Sequence, residues 1–308
     1  MIMMNEIKKI FNQLGFTIIY EISEGFSADK KYVAKKKSEL YLIKVFNTST
    51  MDEKEKEFDI LKKVEEINVK SSKPIDIGTF NNFGYMITSY LAGKDGKKIL
   101  PKLDTGMQYK LGLEAGEQLF RIHTITPNRP LESWDKRQNK KYHNKLAIYC
   151  KNNITFFNDD KVIKFIDENI NYMKTRKNVL QHDDFHAGNL IFKNNQISGV
   201  IDFGSFDWGD SFHDFLKLGL FSRNISIPFA IGQIHGYFGK DPSTDFWILY
   251  SLYLGMEMIS SVNWCLELYP SQLNKMLDSF NIILKDHNNF SQIMPKWYRS
   301  IKKDGLVL

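Results

Sequence analysis

A polar loop between two apolar segments carries the residue types best suited to chemistry. It reads HDDFHAGN over residues 182–189, and Asp202 follows where the next apolar segment ends. A carboxylate on a tight loop can orient a hydroxyl group and accept its proton, which is the role we expect of Asp184. The carboxamide of Asn189 and the carboxylate of Asp202 are oxygen ligands of the kind that Mg²⁺ prefers. This set of groups suits phosphoryl transfer, in which the protein orients the nucleophile and neutralises negative charge.

The elements that must position these groups include a β-hairpin. LIF and ISGVIDF read as two strands joined by a turn at Asn194-Asn195. The polar loop precedes the first strand, and Asp202 lies at the end of the second. Candidate functional residues therefore lie at both ends of the hairpin.

The chain around the hairpin divides by composition into two parts. Strand-like and helix-like patterns alternate before residue 90. They are a short helix at 5–14, the strands TIIYEI, KKYVAKK and LYLIKVF, a charged helix at 51–66, and strands near 75–79 and at 84–89. Helical patterns prevail after residue 105. We therefore predict an α+β fold with a small β-rich N-terminal lobe, residues 1–92 including the hinge, and a large, mainly helical C-terminal lobe, residues 93–308.

The composition excludes several classes of protein. Hydrophobic residues make up 43% of the 308 positions, which excludes a disordered chain. Only Cys150 and Cys265 occur, so a disulfide scaffold is excluded and a reducing, cytoplasmic environment is favoured. The net charge of +6 permits a polyanionic partner without establishing one. We find no nucleic-acid-binding motif and expect no such partner.

We also expect no targeting or membrane segment. Glu6 and Lys8 interrupt the N-terminal residues, which is not the pattern of a signal peptide. Residues 246–266 are apolar and long enough to span a bilayer, but Glu257 and Asn263 would be costly in lipid. We interpret this stretch as a helix buried in a protein core.

Three motifs in order resemble one known family. H-x-D-x-x-x-x-N at residues 182–189 matches the kinase catalytic loop, and D-F-G at 202–204 matches the kinase metal motif. With G-D-x-x-x-D at 209–214, they resemble the aminoglycoside phosphotransferase family of antibiotic kinases, over about residues 20–220. The resemblance implies a bilobal protein-kinase-like fold, Mg²⁺ as cofactor, and transfer of the γ-phosphoryl of ATP or GTP to a hydroxyl group.

The same resemblance assigns nucleotide-binding residues. Lys44 in LYLIKVF resembles the lysine that holds the phosphates, and Glu57, 13 residues further on, resembles the helix glutamate that orients it. EGFSADKKY resembles the phosphate-covering loop with Ser27 at its serine position, although it contains a single glycine. MITSYLAG resembles the hinge, where main-chain groups of Ser89 and Leu91 would hold the adenine.

Acidic residues suggest a cationic acceptor, most simply an aminoglycoside. Asp183 stands where the family usually has glycine, and Asp207, Glu257 and Glu267 are further acids on the expected acceptor side. The same acids could instead form internal ion pairs. The aromatic residues between 247 and 264 fit a less charged acceptor such as a macrolide, or a simple core. Choline, a sugar or another metabolite also suits the family.

A protein kinase is the nearest rival. The chain contains no A-P-E sequence, and Gly209 follows Gly204 by only five positions, which leaves no room for a peptide-docking activation loop. A non-catalytic kinase-like protein is disfavoured because the metal, base and lysine positions are all present. We expect a monomer that binds a nucleotide and a small hydroxylated substrate; an aminoglycoside acceptor would connect it to antibiotic resistance.

Overall fold

The computed structural model of the protein describes residues 2–23, 29–152, 154–239 and 241–304. Ser27, predicted in the phosphate-covering loop, lies outside these described residues. The chain folds as two compact units. The first unit comprises residues 1–94 and 191–205, and the second comprises residues 95–190 and 206–308. The predicted division into domains at residue 92 stays a prediction.

The first unit is built on a five-stranded antiparallel sheet. Its strands are β1 (Thr17–Ile22), β2 (Lys30–Lys36), β3 (Glu39–Asn47), β4 (Pro74–Phe80) and β5 (Phe83–Ser89), in the order β1-β2-β3-β5-β4. Ile43 and Val45 of β3 share a buried cluster with Phe11 of α1 (Ile2–Leu14). Because successive side chains of a strand point to opposite faces, Lys44 belongs to the other face of the sheet.

That other face is next to helix α2, residues Met51–Glu66, which packs against β4 and β5. Phe58, Leu61 and Val64 recur at helical spacing and are all buried. Glu57 is buried on the same helix. A buried carboxylate requires a partner, and the helix thus brings Glu57 to the side of the sheet that carries Lys44.

The second unit is mainly helical. Its helices are α3 (Gly96–Ile99), α4 (Thr105–Ile122), α5 (Trp134–Lys151), α6 (Asp159–Asn169), α7 (Arg223–Ile225), α8 (Ile227–Phe238), α9 (Thr244–Leu268), α10 (Leu273–Asp286) and α11 (Lys296–Asp304). Helix α9 contains the apolar stretch, and its residues from Phe246 to Met256 are all buried, which confirms the prediction of a core helix. Within the described residues, no helix combines the length and the apolar character that crossing a membrane requires.

The remaining strands are short. They are β6 (Lys94–Asp95), β7 (Val179–Gln181), β8 (Leu190–Lys193), β9 (Gln196–Val200) and β10 (Asp207–Gly209). Strands β8 and β9 are neighbours, as the predicted hairpin requires. Their connection consists of Asn194 and Asn195 at φ values of 51° and 57°. Two successive left-handed residues form the hairpin turn whose twist matches that of the strands, and asparagine tolerates this backbone.

Helices α4 and α8 approach each other backbone to backbone. A Cβ atom at Gly112 of α4 would lie 2.2 Å from the carbonyl oxygen of Phe229, and one at Gly232 of α8 would lie 2.2 Å from that of Tyr109. Only glycine fits at this crossing. The crossing orients α4, whose C-terminal end supplies His123 to the candidate site.

Replacing Gly232 with alanine is expected to destabilise the protein. Alanine in a helix is ordinarily more favourable than glycine by about 1 kcal/mol. Here the added methyl would meet the Tyr109 carbonyl at 2.2 Å, and overpacking of this kind costs about 1–3 kcal/mol. Denaturant unfolding followed by circular dichroism measures the change.

The matched control is Lys110→Ala, which alters an exposed position of the same helix pair. It should change the free energy of unfolding by less than about 0.5 kcal/mol. A Gly232→Ala protein as stable as the wild type would show that the two backbones are not in close approach.

Candidate active site

The carboxylate of Asp214 fixes the start of the polar loop, residues 182–189. Its Oδ2 atom accepts the backbone N–H of His182 at 2.8 Å, and its Oδ1 atom accepts that of Asp183 at 2.6 Å. Nε2 of His123 lies 2.9 Å from Oδ2. Asp214 is 1% exposed, so these groups replace the water that a buried carboxylate loses. Asp214, from the G-D-x-x-x-D motif at 209–214, therefore positions the H-x-D-x-x-x-x-N motif at 182–189.

Asp183 has a left-handed backbone, with φ at 60°. This conformation costs most non-glycine residues about 1–2 kcal/mol, although aspartate tolerates it better than most; the cost is a physical reason for the glycine usual in the resembling family. The Oδ1 atom of Asp183 lies 3.0 Å from Nδ1 of His213. Burial raises the pKa of Asp183, but His213 and neighbouring lysines outweigh it and bring the pKa below its ordinary value. The carboxylate is thus ionised and faces a partner from its own chain.

Asp184 presents an ionised carboxylate with both oxygens in contact. Its Oδ2 atom accepts Nδ2–H of Asn189 at 2.8 Å and lies 3.5 Å from Nε2 of His186, while Oδ1 lies 3.5 Å from Nζ of Lys217. Burial raises the pKa of Asp184, but His186 and Lys217 together bring it well below its usual range. An ionised carboxylate only accepts hydrogen bonds, so it can orient a hydroxyl donor.

The orientation of the Asn189 amide follows from its partners. Its Nδ2 atom donates to the main-chain oxygen of Asp184 at 2.9 Å and to Oδ2 of the same residue at 2.8 Å. Both partner atoms are acceptors, so the nitrogen must face them and the amide oxygen faces away. That oxygen is the kind of ligand that a magnesium ion takes.

The first unit holds the predicted phosphate-binding lysine in a buried ion pair. Nζ of Lys44 lies 2.7 Å from Oε1 of Glu57, and the two residues are 7% and 2% exposed. Lys54 lies 3.4 Å from the other glutamate oxygen and 2.5 Å from Asp29. With two lysines and two carboxylates, the charges compensate one another, which a buried pair requires.

Asp202 lies beside this pair. Its Oδ1 atom is 4.0 Å from Nζ of Lys44, and 46% of its side chain is exposed. Its φ of 68° is left-handed, and the short turn Phe203–Ser205 follows it at once. A Cβ atom at Gly204 would lie 3.3 Å from Oε2 of Glu57. The structure thus brings together Lys44, Glu57 and Asp202, and leaves the Asp202 carboxylate accessible.

The predicted hinge residues end the central sheet. The backbone N–H of Ser89 donates to the carbonyl of Lys73 at 2.9 Å, and the Ser89 hydroxyl accepts the Lys73 N–H at 2.8 Å. Ser89 would therefore offer a nucleotide its carbonyl oxygen rather than its N–H. A Cβ atom at Gly199 would lie 2.6 Å from the Leu91 side chain, so β9 approaches the hinge closely. Contact of Ser89 and Leu91 with adenine stays a prediction.

The four acids predicted to bind substrate differ in their surroundings. Asp183 faces His213, as described above, and Asp207 lies 2.7 Å from Nη1 of Arg137. Glu257 raises the pKa of Lys217 by its charge, against the lowering effect of burial. Glu267 is exposed near the end of α9. Three of the four acids thus have a basic group of their own chain nearby, the internal alternative that the sequence left open.

Three residues of this site went unassigned in the sequence. Asp214 appeared only as a motif position, while His123 and Lys217 carried no signal beyond being polar residues in apolar helical segments. Lys217 lies three residues after Asp214, so the G-D-x-x-x-D motif at 209–214 marks the segment that contains it. A lysine with a side chain only 16% exposed needs acidic partners, and only the fold identifies them.

A family model described as the phosphotransferase enzyme family, abbreviated APH, matches residues 19–249. A search of curated proteins found no match to the sequence.

Several solved structures share the fold. The gentamicin complex of APH(2'')-IIa is 21% identical, with a TM-score of 0.65, covering 89% of this chain and 94% of that one. ADP-bound aminoglycoside phosphotransferase APH(2'')-Ib is 19% identical, with a TM-score of 0.63 and coverages of 89% and 97%. Aminoglycoside phosphotransferase APH(4)-Ia is 14% identical, with a TM-score of 0.67 and coverages of 91% and 98%.

Substitutions at Asp183 should separate backbone strain from side-chain contact. Asp183→Ala keeps the left-handed strain and loses the contact with His213, whereas Asp183→Gly relieves the strain. We expect the alanine variant to be less stable than the glycine variant by about 1 kcal/mol. Urea unfolding of both variants measures the difference, and an alanine variant equal to or above the glycine variant would contradict a strained backbone here.

Proposed function

Because the chain belongs to the phosphotransferase enzyme family, whose model matches residues 19–249, we propose that it transfers the γ-phosphoryl group of ATP to a hydroxyl group of a small molecule. Family membership makes it a phosphotransferase with an alcohol group as acceptor, and it confirms the resemblance and the predicted α+β, kinase-like fold. The observation that carries the proposal is the ionised Asp184 carboxylate, aimed by Asn189 within a loop that Asp214 fixes.

Asp184 is proposed as the group that receives the acceptor hydroxyl. It would accept the hydroxyl hydrogen bond and then the proton, as the acceptor oxygen bonds to the γ-phosphorus and the bond from that phosphorus to ADP breaks. Its low pKa makes it a weak base. Its contribution is therefore mainly orientation, with proton transfer late in the reaction.

Asn189 and Asp202 are the proposed ligands of Mg²⁺. The Asn189 amide oxygen faces away from Asp184, and the Asp202 carboxylate is partly exposed, so both offer the hard oxygen atoms that this ion takes. A bound magnesium ion neutralises phosphate charge. Lys44, oriented by Glu57, would bind phosphate oxygens, with Ser27 and neighbouring amides covering them.

ATP is the first donor to test, with GTP as the alternative. Among the structural neighbours, APH(2'')-Ib is solved with ADP, and APH(2'')-IIa is solved with ATP and streptomycin. Thr88, directly before Ser89, is small and buried, a side chain compatible with either purine.

Aminoglycosides are the first acceptors to test. Gentamicin is bound to APH(2'')-IIa and hygromycin B to APH(4)-Ia in the structures similar to this chain. The acids expected to bind a polycation, however, lie near His213, Arg137 and Lys217. This internal compensation weakens the case for a polycation and favours testing neutral and singly charged acceptors beside aminoglycosides. A resistance role depends on that outcome.

Asp184→Asn and Asp202→Ala should each lower turnover by on the order of 10²-fold or more. The first removes the base without changing the shape of the side chain, and the second removes a proposed metal ligand, so its KM for MgATP should rise as well. ADP release with the most rapidly phosphorylated acceptor provides the measurement. Asp52→Asn at an exposed position serves as the control. Full activity in either active-site variant would contradict the roles assigned.

A panel of acceptors tests the substrate class. Purified protein with MgATP or MgGTP is incubated with gentamicin, hygromycin B, erythromycin, choline and glucose, and ADP or GDP release is measured. If aminoglycosides are the acceptors, gentamicin or hygromycin B should give the largest kcat/KM. Release only with erythromycin, choline or glucose would reject the aminoglycoside assignment and keep the kinase. No release with any acceptor would count against the proposed activity.

A further inference from the structure

Lys217 lies against the carboxylate of Asp184 on the side opposite Asn189. Its Nζ atom is 3.5 Å from Oδ1 of Asp184, whereas Asn189 donates to Oδ2. Its side chain is only 16% exposed, and the Phe221 ring is 5.8 Å from the ammonium. This ammonium is therefore held at one place.

Three carboxylates act electrostatically on this one ammonium, and the Asp184 carboxylate is in contact with it at 3.5 Å. Burial lowers the pKa of Lys217, but Glu257, Asp184 and Asp183 outweigh it and raise the pKa above its ordinary value. Lys217 therefore carries its charge throughout the neutral range. Without it, Asp184 would lose the ammonium at 3.5 Å, and the negative charges of Asp183, Asp184 and Glu257 would be less well compensated, which is costly for partly buried groups.

Asn189 and Lys217 contact different oxygen atoms of the Asp184 carboxylate. With Oδ2 bonded to Asn189 and Oδ1 facing Lys217, rotation of the carboxylate about its last bond would break both contacts. Each carboxylate oxygen can accept more than one hydrogen bond, so a lone pair remains for an acceptor hydroxyl. Fixing the plane of the carboxylate should raise the rate of phosphoryl transfer, because the enzyme accelerates this reaction mainly by orienting the reacting groups.

We propose that Lys217 is a positioning residue, which holds Oδ1 of Asp184 so that the carboxylate stays aimed at the acceptor hydroxyl. This role rests on the proposed kinase activity. The competing explanation is that Lys217 is only a counter-ion, which keeps Asp183, Asp184 and Glu257 compatible with the fold. The two explanations predict different kcat values for a variant that lacks both Lys217 and one of the acids.

The first experiment compares Lys217→Met and Lys217→Arg in the full chain, with the panel acceptor that gives the fastest ADP release. We expect Lys217→Met to lower kcat by at least about tenfold, with the KM for MgATP and the affinity for MgADP changed by less than about twofold. Lys217→Arg, which keeps the charge, should recover most of the kcat. Lys140→Met, at an exposed position, is the matched control.

A double variant separates positioning from charge balance. Lys217→Met with Glu257→Gln removes one positive and one negative charge together. It should regain the thermal stability that Lys217→Met loses, yet keep the low kcat if Lys217 positions Asp184. Recovery of kcat along with stability would overturn the proposal in favour of the counter-ion explanation.

A double-mutant cycle with Asp184 gives the final test. If Lys217 acts through Asp184, adding Lys217→Met to Asp184→Asn should lower the residual kcat by less than about twofold, because the group it positions is already gone. Independent, multiplying losses would overturn the proposal. Unchanged kcat in Lys217→Met would overturn it while leaving the kinase intact, whereas a wild type that releases no ADP with any acceptor would overturn both.

Discussion

The arrangement of the polar loop, residues 182–189, depends on one buried carboxylate, that of Asp214. Because burial removes its water, this carboxylate must find donors, and it finds them in two consecutive backbone N–H groups of the loop and in His123. Because the buried carboxylate must keep these donors in contact, it also fixes the position of the loop that provides them. Asp183, whose N–H makes the second of these contacts, has a left-handed backbone. This conformation sets the direction in which the Asp184 side chain leaves the loop.

Each unit supplies partners for its own buried charges. In the first, Glu57 and Asp29 balance Lys44 and Lys54; in the second, Lys217 contacts Asp184, and His213 lies beside Asp183. Buried ionised groups are stable only with such partners, and each unit supplies these partners from its own residues. Asp202 differs, since nearly half of its side chain is exposed, which is compatible with its proposed role as a metal ligand.

This compensation changes how the acidic composition is interpreted. In the sequence, Asp183, Asp207 and Glu257 look like free negative charges that a polycationic acceptor would neutralise. In the fold, a histidine, an arginine and a lysine already stand near them. Local charge along a sequence therefore says little about the charge of a pocket, because the balancing residues come from distant segments.

The sequence by itself predicted the strands of the first unit, helix α2, the core helix α9 and the β8–β9 hairpin, because these follow from local periodicity and turn residues. Asp184, Asn189 and Asp202 were singled out by their types and spacing within one short segment, whereas Lys44 was assigned by resemblance, and the roles of all four stay predictions. The pairing of Lys44 with Glu57 was inferred by resemblance, and the structure places the two atoms in contact. Only the tertiary structure decided the partners of Asp214, the position of Lys217 and the pairing of the acids. Those contacts join residues far apart in the chain, and a buried charge selects its partner by proximity in the fold, which no local pattern records.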